Sequence, residues 1–310
     1  MILVTGATGF IGKPLVRQLI ANGYPVRTLL KPSSQTPQLP MGIPIDVAVS
    51  GLTDERGLRA ALRDVDAVIH LASAERHHGA TNVLETDSQG TKMLATIAAE
   101  LKVRKFIYLS HLGADRASYF PVLKLKGLAE DAIRKSDVPY TILRSSIVYG
   151  PEDRFTTSIA KLLAFFPFFF LPKNGEVLLQ PLHIDDLIMS LMWTLQSEHF
   201  SRQVIEIGGA EFFSYKQICE TIELEIGIDR RMMPMSLSVF RSWYLFLDSF
   251  FPDLFLSSYW VDMLSYNRTC SVDSISRNFG FLPARFNYSL QHLNNIDWRK
   301  QAVQSLFKKD

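Results

Sequence analysis

The chain has 310 residues, with 33 lysines and arginines against 31 aspartates and glutamates, and two cysteines. This length supports one large core or two smaller ones, and the near-neutral balance argues against nucleic acid as a partner, because no basic run longer than the tail Lys308-Lys309 appears. Cys219 and Cys270 lie far apart without metal-ligand spacing and nothing resembling a signal peptide precedes the first apolar run, so the expectation is a reducing, cytoplasmic compartment with both thiols as packing residues and no bound metal.

Residues 1–12 set an apolar strand directly against Gly6, Gly9 and Gly12. In this arrangement Gly6 permits the tight turn, Gly9 lets backbone approach a pyrophosphate, and Gly12 lets the next helix pack closely on the sheet. An amphipathic helix then runs from Lys13 to Asn22 and stops at Gly23, and Pro25–Leu30 reads as a second strand followed by a Pro/Ser/Gln-rich loop, 32–40. Strands are expected at Ile45–Val49, Asp66–Leu71, Lys105–Ser110 and Tyr140–Arg144, with helices near Glu55–Leu62, Asp87–Leu101 and Val122–Lys135. Such alternation needs crossover connections and predicts an α/β fold, a Rossmann-type doubly wound parallel sheet with ligands at the carboxyl ends of its strands. We divide the chain into a nucleotide-binding domain, 1–150, and a smaller, mostly helical C-terminal lobe, 151–310, which binds substrate or partner. In the lobe, one further strand is expected at Val204–Ile207 and helices after Ser214, Ser236 and Ser289.

The longest apolar run, Leu162–Pro172, falls short of the roughly 20 residues of a membrane span. A second hydrophobic region, 237–256, is interrupted by Arg241, Asp248, Pro252 and Asp253, which also argues against a span. Its Val239, Phe240, Trp243, Phe246, Leu247 and Phe250 recur at helical spacing. Two readings fit this pattern: a core-facing helix, or a surface that meets a membrane protein or the membrane interface.

The segments Thr-Gly-Ala-Thr-Gly-Phe-Ile-Gly at 5–12, Asp-Ala-Val-Ile-His-Leu-Ala at 66–72, Ser-His-Leu-Gly-Ala at 110–114, Lys-Gly-Leu-Ala-Glu at 126–130, Tyr-Gly-Pro-Glu-Asp-Arg-Phe at 149–155 and Pro-Leu-His-Ile-Asp-Asp-Leu at 181–187 carry a resemblance over nearly the whole chain. The sequence resembles an atypical, extended-type short-chain dehydrogenase/reductase. Within that superfamily it is most similar to the nucleotide-binding accessory subunit of respiratory complex I and its bacterial relatives, with the photosystem II assembly factors as a related branch. The resemblance implies tight NADP(H) binding by a structural subunit or assembly helper. It places the nucleotide along Gly6, Thr8, Gly9, Phe10, Ile11 and Gly12, with Lys31, Leu52, His70, Leu71, Ala72, Ser110, Lys126 and Ile147 as further contacts. An NAD-preferring site would end its second strand in an acidic residue; here Leu29-Leu30-Lys31 stands there, and a cation suits a 2′-phosphate, so NADP(H) is favoured over NAD(H), with Arg27 as support. The aspartate that the family often places before Leu52 is Gly51 here, which shifts base recognition to backbone groups and to Thr53 or Asp54.

Catalytic members use a tyrosine four residues before a lysine that lowers its pKa, because a phenol that ordinarily ionises near 10 must exchange a proton near neutrality. Lys126 matches that lysine, and four residues earlier stands Val122. The substitute candidates are Tyr119, separated from the helix by Pro121, and His111, for which the resemblance to subunits with the same Ser-His-Leu sequence favours a packing role. His77-His78 reads as a polar loop, and His183-Ile184-Asp185-Asp186 as a helix-capping segment that locks the lobes. The leading expectation is a nucleotide-binding subunit or assembly factor of a membrane-bound electron-transfer complex, on the cytoplasmic face and partnered through its aromatic C-terminal lobe. The alternatives are an NAD(P)-dependent epimerase or reductase acting on an apolar or sugar-like substrate, and a redox-sensing scaffold.

Overall fold

A computed structural model describes residues 1–33, 39, 42, 44–73, 88–250 and 258–307. Two compact units divide it: Met1–Ser145 with Leu187–Glu206, and Ser146–Asp186 with Ile207–Asp310. Unit membership therefore departs from chain order, because a stretch of about twenty residues from the second half returns to the first unit.

The first unit is built on strands β1 (Ile2–Thr5), β2 (Val26–Leu30), β3 (Asp46–Val49), β4 (Ala67–His70), β5 (Lys105–His111) and β6 (Tyr140–Ser145). With β11 (Gln203–Ile207) they form a seven-stranded sheet in the order β11-β6-β5-β4-β1-β2-β3. Every pairing from β6 to β3 is parallel, and Thr5 lies level with Leu29 on one side and His70 on the other. Parallel strands require crossovers, supplied here by α1 (Gly12–Ala21), α2 (Glu55–Ala61), α3 (Thr91–Glu100) and α4 (Pro121–Lys135). The strand order reverses between β1 and β4, which places the switch point of the doubly wound sheet at the end of β1. Leu3, Leu58, Leu94, Phe106, Tyr108 and Ile133 pack in one buried cluster of this unit.

The second unit holds β7 (Val148–Tyr149), α5 (Phe155–Phe165), β8 (Phe168–Pro172), β9 (Leu178–Leu179), β10 (Leu182–His183) and the start of α6 (Ile184–Gln196). After the excursion it continues through β12 (Phe213–Ser214), α7 (Tyr215–Ile226), β13 (Arg231–Met235), α8 (Leu237–Phe250), α9 (Ser258–Met263), α10 (Ser274–Phe279) and α11 (Trp298–Phe307). Helix α7 begins on a reciprocal Ser214/Gln217 capping box and ends at Gly227 with φ 68°. The strand expected at Val204–Ile207 is β11 of the main sheet, and three two-stranded pairings, β10-β7, β12-β9 and β13-β8, come in addition to it. Two-residue bridges carry no periodicity, and the apolar run Leu162–Pro172 divides into the end of α5 and all of β8. The helix expected after Ser289 is also corrected: a 3-10 turn spans Gln291–Leu293, and α11 starts only at Trp298. Among the described residues no helix is long and apolar enough to cross a membrane.

Candidate nucleotide site

The glycine turn leaves β1 with Gly6 at φ 72°, where a Cβ would stand 2.8 Å from the Ala72 nitrogen and the Leu71 carbonyl carbon. A Cβ on Gly12 would overlap the Gly6 oxygen and lie 2.6 Å from Ala7 Cα. Both glycines are thus demanded by the protein itself. Gly9 differs, since its Cβ would meet only the Gly6 oxygen, at 3.2 Å, so within the protein an alanine fits there with little adjustment. Gly9 is the glycine expected to let a ligand approach, and apart from the Gly6 oxygen no atom of the described residues, its own chain neighbours aside, lies within 4 Å of its Cβ position. Helix α1 starts with no side-chain cap and no acidic residue in its first turn. Its first turn thus brings no acidic side chain of its own to the leading N–H groups and the positive dipole end, which suits a phosphate there. Thr8 is exposed here, and Phe10 and Ile11 are half-buried. A dinucleotide pyrophosphate fits this turn.

At the end of β4 the Leu71 and Ala72 backbones lie against Gly6, and the Ala72 N–H donates to Thr5 Oγ1 at 3.2 Å. The His70 ring is fully buried, with Nδ1 2.6 Å from Thr5 Oγ1 and Nε2 2.8 Å from Thr91 Oγ1. The two hydroxyls give both ring nitrogens a hydrogen-bond partner, which suits a neutral imidazole with one donor and one acceptor nitrogen. The ring stacks on Tyr108 at 5.4 Å. Burial, reinforced by the charge of Lys126, pulls the His70 pKa down to about 3. His70 thus fastens β1 to β4 and α3 through its side chain, while the Leu71 and Ala72 N–H groups bond back to Thr5.

Beside it, Lys126 is buried on α4 with Nζ 5.3 Å from the Tyr108 ring centroid. Val122 precedes it by one helical turn on the same helix and is half-buried. Pro121 is the first residue of α4 and Phe120 its extended N-cap, so Tyr119 lies outside the helix; it is 86% exposed. Ser110 and half-buried His111 end β5. Ser110 Oγ donates to Glu130 Oε1 at 2.7 Å, while Arg144 donates to both oxygens of Glu130 at 2.9 and 2.7 Å, and Arg134 adds a fourth bond at 2.8 Å. Glu130 is only 1% exposed, and its carboxylate raises the Arg144 pKa further. In the sequence Glu130 stands only as the last residue of the 126–130 motif and Arg144 as the end of a strand. An arginine inside the apolar run Thr141-Ile142-Leu143-Arg144 is the signal that a buried acid must face it.

Further from the turn, Lys31 is exposed just beyond β2. The Arg27 guanidinium is committed to Asp46 at 2.6 Å and to the Ala61 and Arg63 carbonyls at 2.9 and 2.8 Å, so it braces β2, β3 and the end of α2. Asp54 caps α2 through the Gly57 N–H at 3.0 Å, and half-buried Leu52 packs on the hydrophobic cluster. Ile147 belongs to the second unit, where its carbonyl accepts the Leu182 N–H at 2.8 Å. There Asp186 accepts the Ala284 N–H at 2.8 Å, and His183 packs edge-on to Tyr149. His77 and His78 lie outside the described residues.

Residues 6–159 match the family model described as NAD(P)H-binding. Taken with the sheet and turn, this shows an NAD(P)-binding domain on an extended, short-chain dehydrogenase/reductase-like Rossmann fold. The mitochondrial NADH dehydrogenase [ubiquinone] 1 alpha subcomplex subunit 9 of Arabidopsis thaliana is 26% identical over 70% of this chain and 56% of its own length. A ceramide reductase of Caulobacter vibrioides is 28% identical over 62% of this chain and 60% of its own, and the photosystem II assembly factor Ycf39 of Cyanophora paradoxa 30% over 46% and 44%. The chain thus spans about half the length of the curated relatives it matches. An epimerase of Methanothermobacter thermautotrophicus shares the fold with a TM-score of 0.74 and 17% identity, over 98% of this chain and 93% of that one.

Proposed function

We propose that the protein binds NADP(H) as a structural ligand and serves as a subunit or assembly factor of a membrane-bound electron-transfer complex, held peripherally on the cytoplasmic face through its aromatic C-terminal lobe. The observation that carries this reading is an intact glycine turn beside a helix that puts Val122, which has no proton to exchange, one turn before Lys126. The Ser110 hydroxyl, the family's substrate-orienting candidate, donates its proton to Glu130 and so braces the sheet. When bound, the nucleotide supplies hydride-transfer chemistry; the chain's own residues hold it at the 6–12 turn, with exposed Lys31 for the 2′-phosphate. Binding to the native state alone stabilises it by about 2.7 kcal/mol at a hundredfold excess over Kd. The relatives' names support the partner class.

Gly9→Trp fills the phosphate approach, and the expected result is a loss of NADPH-dependent thermal stabilisation together with loss of the tagged protein from large detergent-extracted assemblies. Unchanged stability and incorporation would refute the reading. The enzymatic alternative is favoured by the ceramide reductase relative and by buried Lys126. It requires turnover that disappears in Tyr119→Phe or His111→Ala while nucleotide binding persists.

A further inference from the structure

Lys126 stands on the buried face of α4 with Leu123, Ala129, Glu130 and Ile133, where an ammonium is costly to hold without polar or aromatic neighbours. The Glu130 carboxylate on that face is bonded to Ser110, Arg134 and Arg144. A ring from the sheet faces the ammonium: Nζ lies 5.3 Å from the centroid of Tyr108, which is fully buried. That distance is within reach of a cation–π attraction, which is strongest where water is excluded. In the parallel pairing of β4 and β5, Tyr108 lies level with His70, so both rings leave the same face of the sheet, and they stack at 5.4 Å and 23°. Tyr108 thus meets the cation and the imidazole at once. The residues that follow His70, Leu71 and Ala72, border Gly6 in the glycine turn, so this group sits beside the carboxyl ends of the strands where a doubly wound sheet holds its ligand.

We propose that Tyr108 is a positioning residue for the bound nucleotide, its ring face holding the Lys126 ammonium in place for the hydroxyls of the nicotinamide ribose. The inference rests on the NADP(H) reading of the first unit and adds to it the group that aims the lysine. Where the usual dyad is present, an aromatic ring precedes the lysine by one helical turn; Val122 offers none, and the ring on β5 meets the ammonium from the sheet instead. A lysine stem is long and flexible, and fixing it before the nucleotide arrives removes that ordering cost from binding.

Calorimetric titration of the full chain with NADPH tests this, alongside adenosine 2′,5′-bisphosphate, which lacks the nicotinamide and its ribose. Tyr108→Phe keeps a π face and is expected to bind NADPH within about twofold of the unaltered chain. Tyr108→Leu is expected to bind NADPH at least tenfold more weakly while its affinity for the bisphosphate stays level, since a merely structural loss would lower both. In a Lys126→Met background, Tyr108→Leu should cost no further NADPH affinity. Should Tyr108→Leu fail to fold, NMR of the unaltered chain labelled with carbon-13 lysine decides: the ε-methylene protons of Lys126, assigned from Lys126→Met, are expected upfield of those of the other lysines through shielding by the ring, and to move on addition of NADPH. Equal NADPH affinities in Tyr108→Phe and a folded Tyr108→Leu chain, equal losses for both ligands, a further loss in the Lys126→Met background, or an unshielded Lys126 resonance would overturn the inference. An unaltered chain that binds neither ligand is a different result: it would refute the nucleotide reading, and the inference with it.

Discussion

His70 makes the stability of the nucleotide-binding unit depend on pH in a way that can be worked out in advance. In the unfolded chain its imidazole titrates near 6.5, while in the folded chain burial and Lys126 hold it down to about 3. A depressed pKa means that the native state keeps its full advantage above pH 6.5 and loses it as pH falls towards 3, because only the unfolded state takes up the proton. The slope in that window is about 1.4 kcal/mol per pH unit, so roughly 2 kcal/mol is lost between pH 7 and pH 5. His70→Gln offers a donor and an acceptor to Thr5 and Thr91 but does not titrate. Urea titrations at pH 7, 6 and 5, read by amide exchange of peptides covering β1 and β4, should show the unaltered chain losing about 2 kcal/mol more than the variant over this range. Parallel pH dependences in the two chains would refute the assignment of a neutral, buried imidazole.

Gly12→Ala should destabilise the fold by about 3 kcal/mol in urea unfolding, since its Cβ overlaps backbone that cannot retreat. Gly9→Ala should leave stability within about 0.5 kcal/mol while calorimetry shows NADPH affinity falling at least tenfold. Glu130→Gln strips the buried carboxylate from Arg144 and should lower stability by about 2–3 kcal/mol, against about 1 kcal/mol for Ser110→Ala, as measured by urea unfolding. Asp54→Ala removes the cap of α2 and should cost about 1 kcal/mol by the same measure.

Much of the first unit was legible because its signals are local. The apolar runs at 2–5, 67–70 and 105–111 are strands within a residue or two of expectation, and Gly23 ends the first helix at φ 76°. The helix expected from Val122 starts one residue earlier, at Pro121, since a missing N–H matters least at a helix's first position. What could not be read depends on partners distant in sequence. The direction of the Arg27 side chain is set by Asp46 and by carbonyls at 61 and 63, and the two nitrogens of His70 by Thr5 and Thr91. The hydrophobic helix at 237 could face core or solvent; Phe240 is buried in the structure, while Val239 and Phe246 are exposed.

The return of Leu187–Glu206 to the first unit bears on how the chain is made. When β6 has left the ribosome its outer edge is bare, and β11, the strand that covers it, follows 58 residues behind, from Ser145 to Gln203. At 5–20 residues per second the nascent sheet waits roughly 3–12 s with a row of unsatisfied N–H and C=O groups exposed. A fragment ending near residue 150 never receives that strand, and its open edge would recruit other chains. Domain excisions for biochemical work should therefore keep the sequence through Ile207.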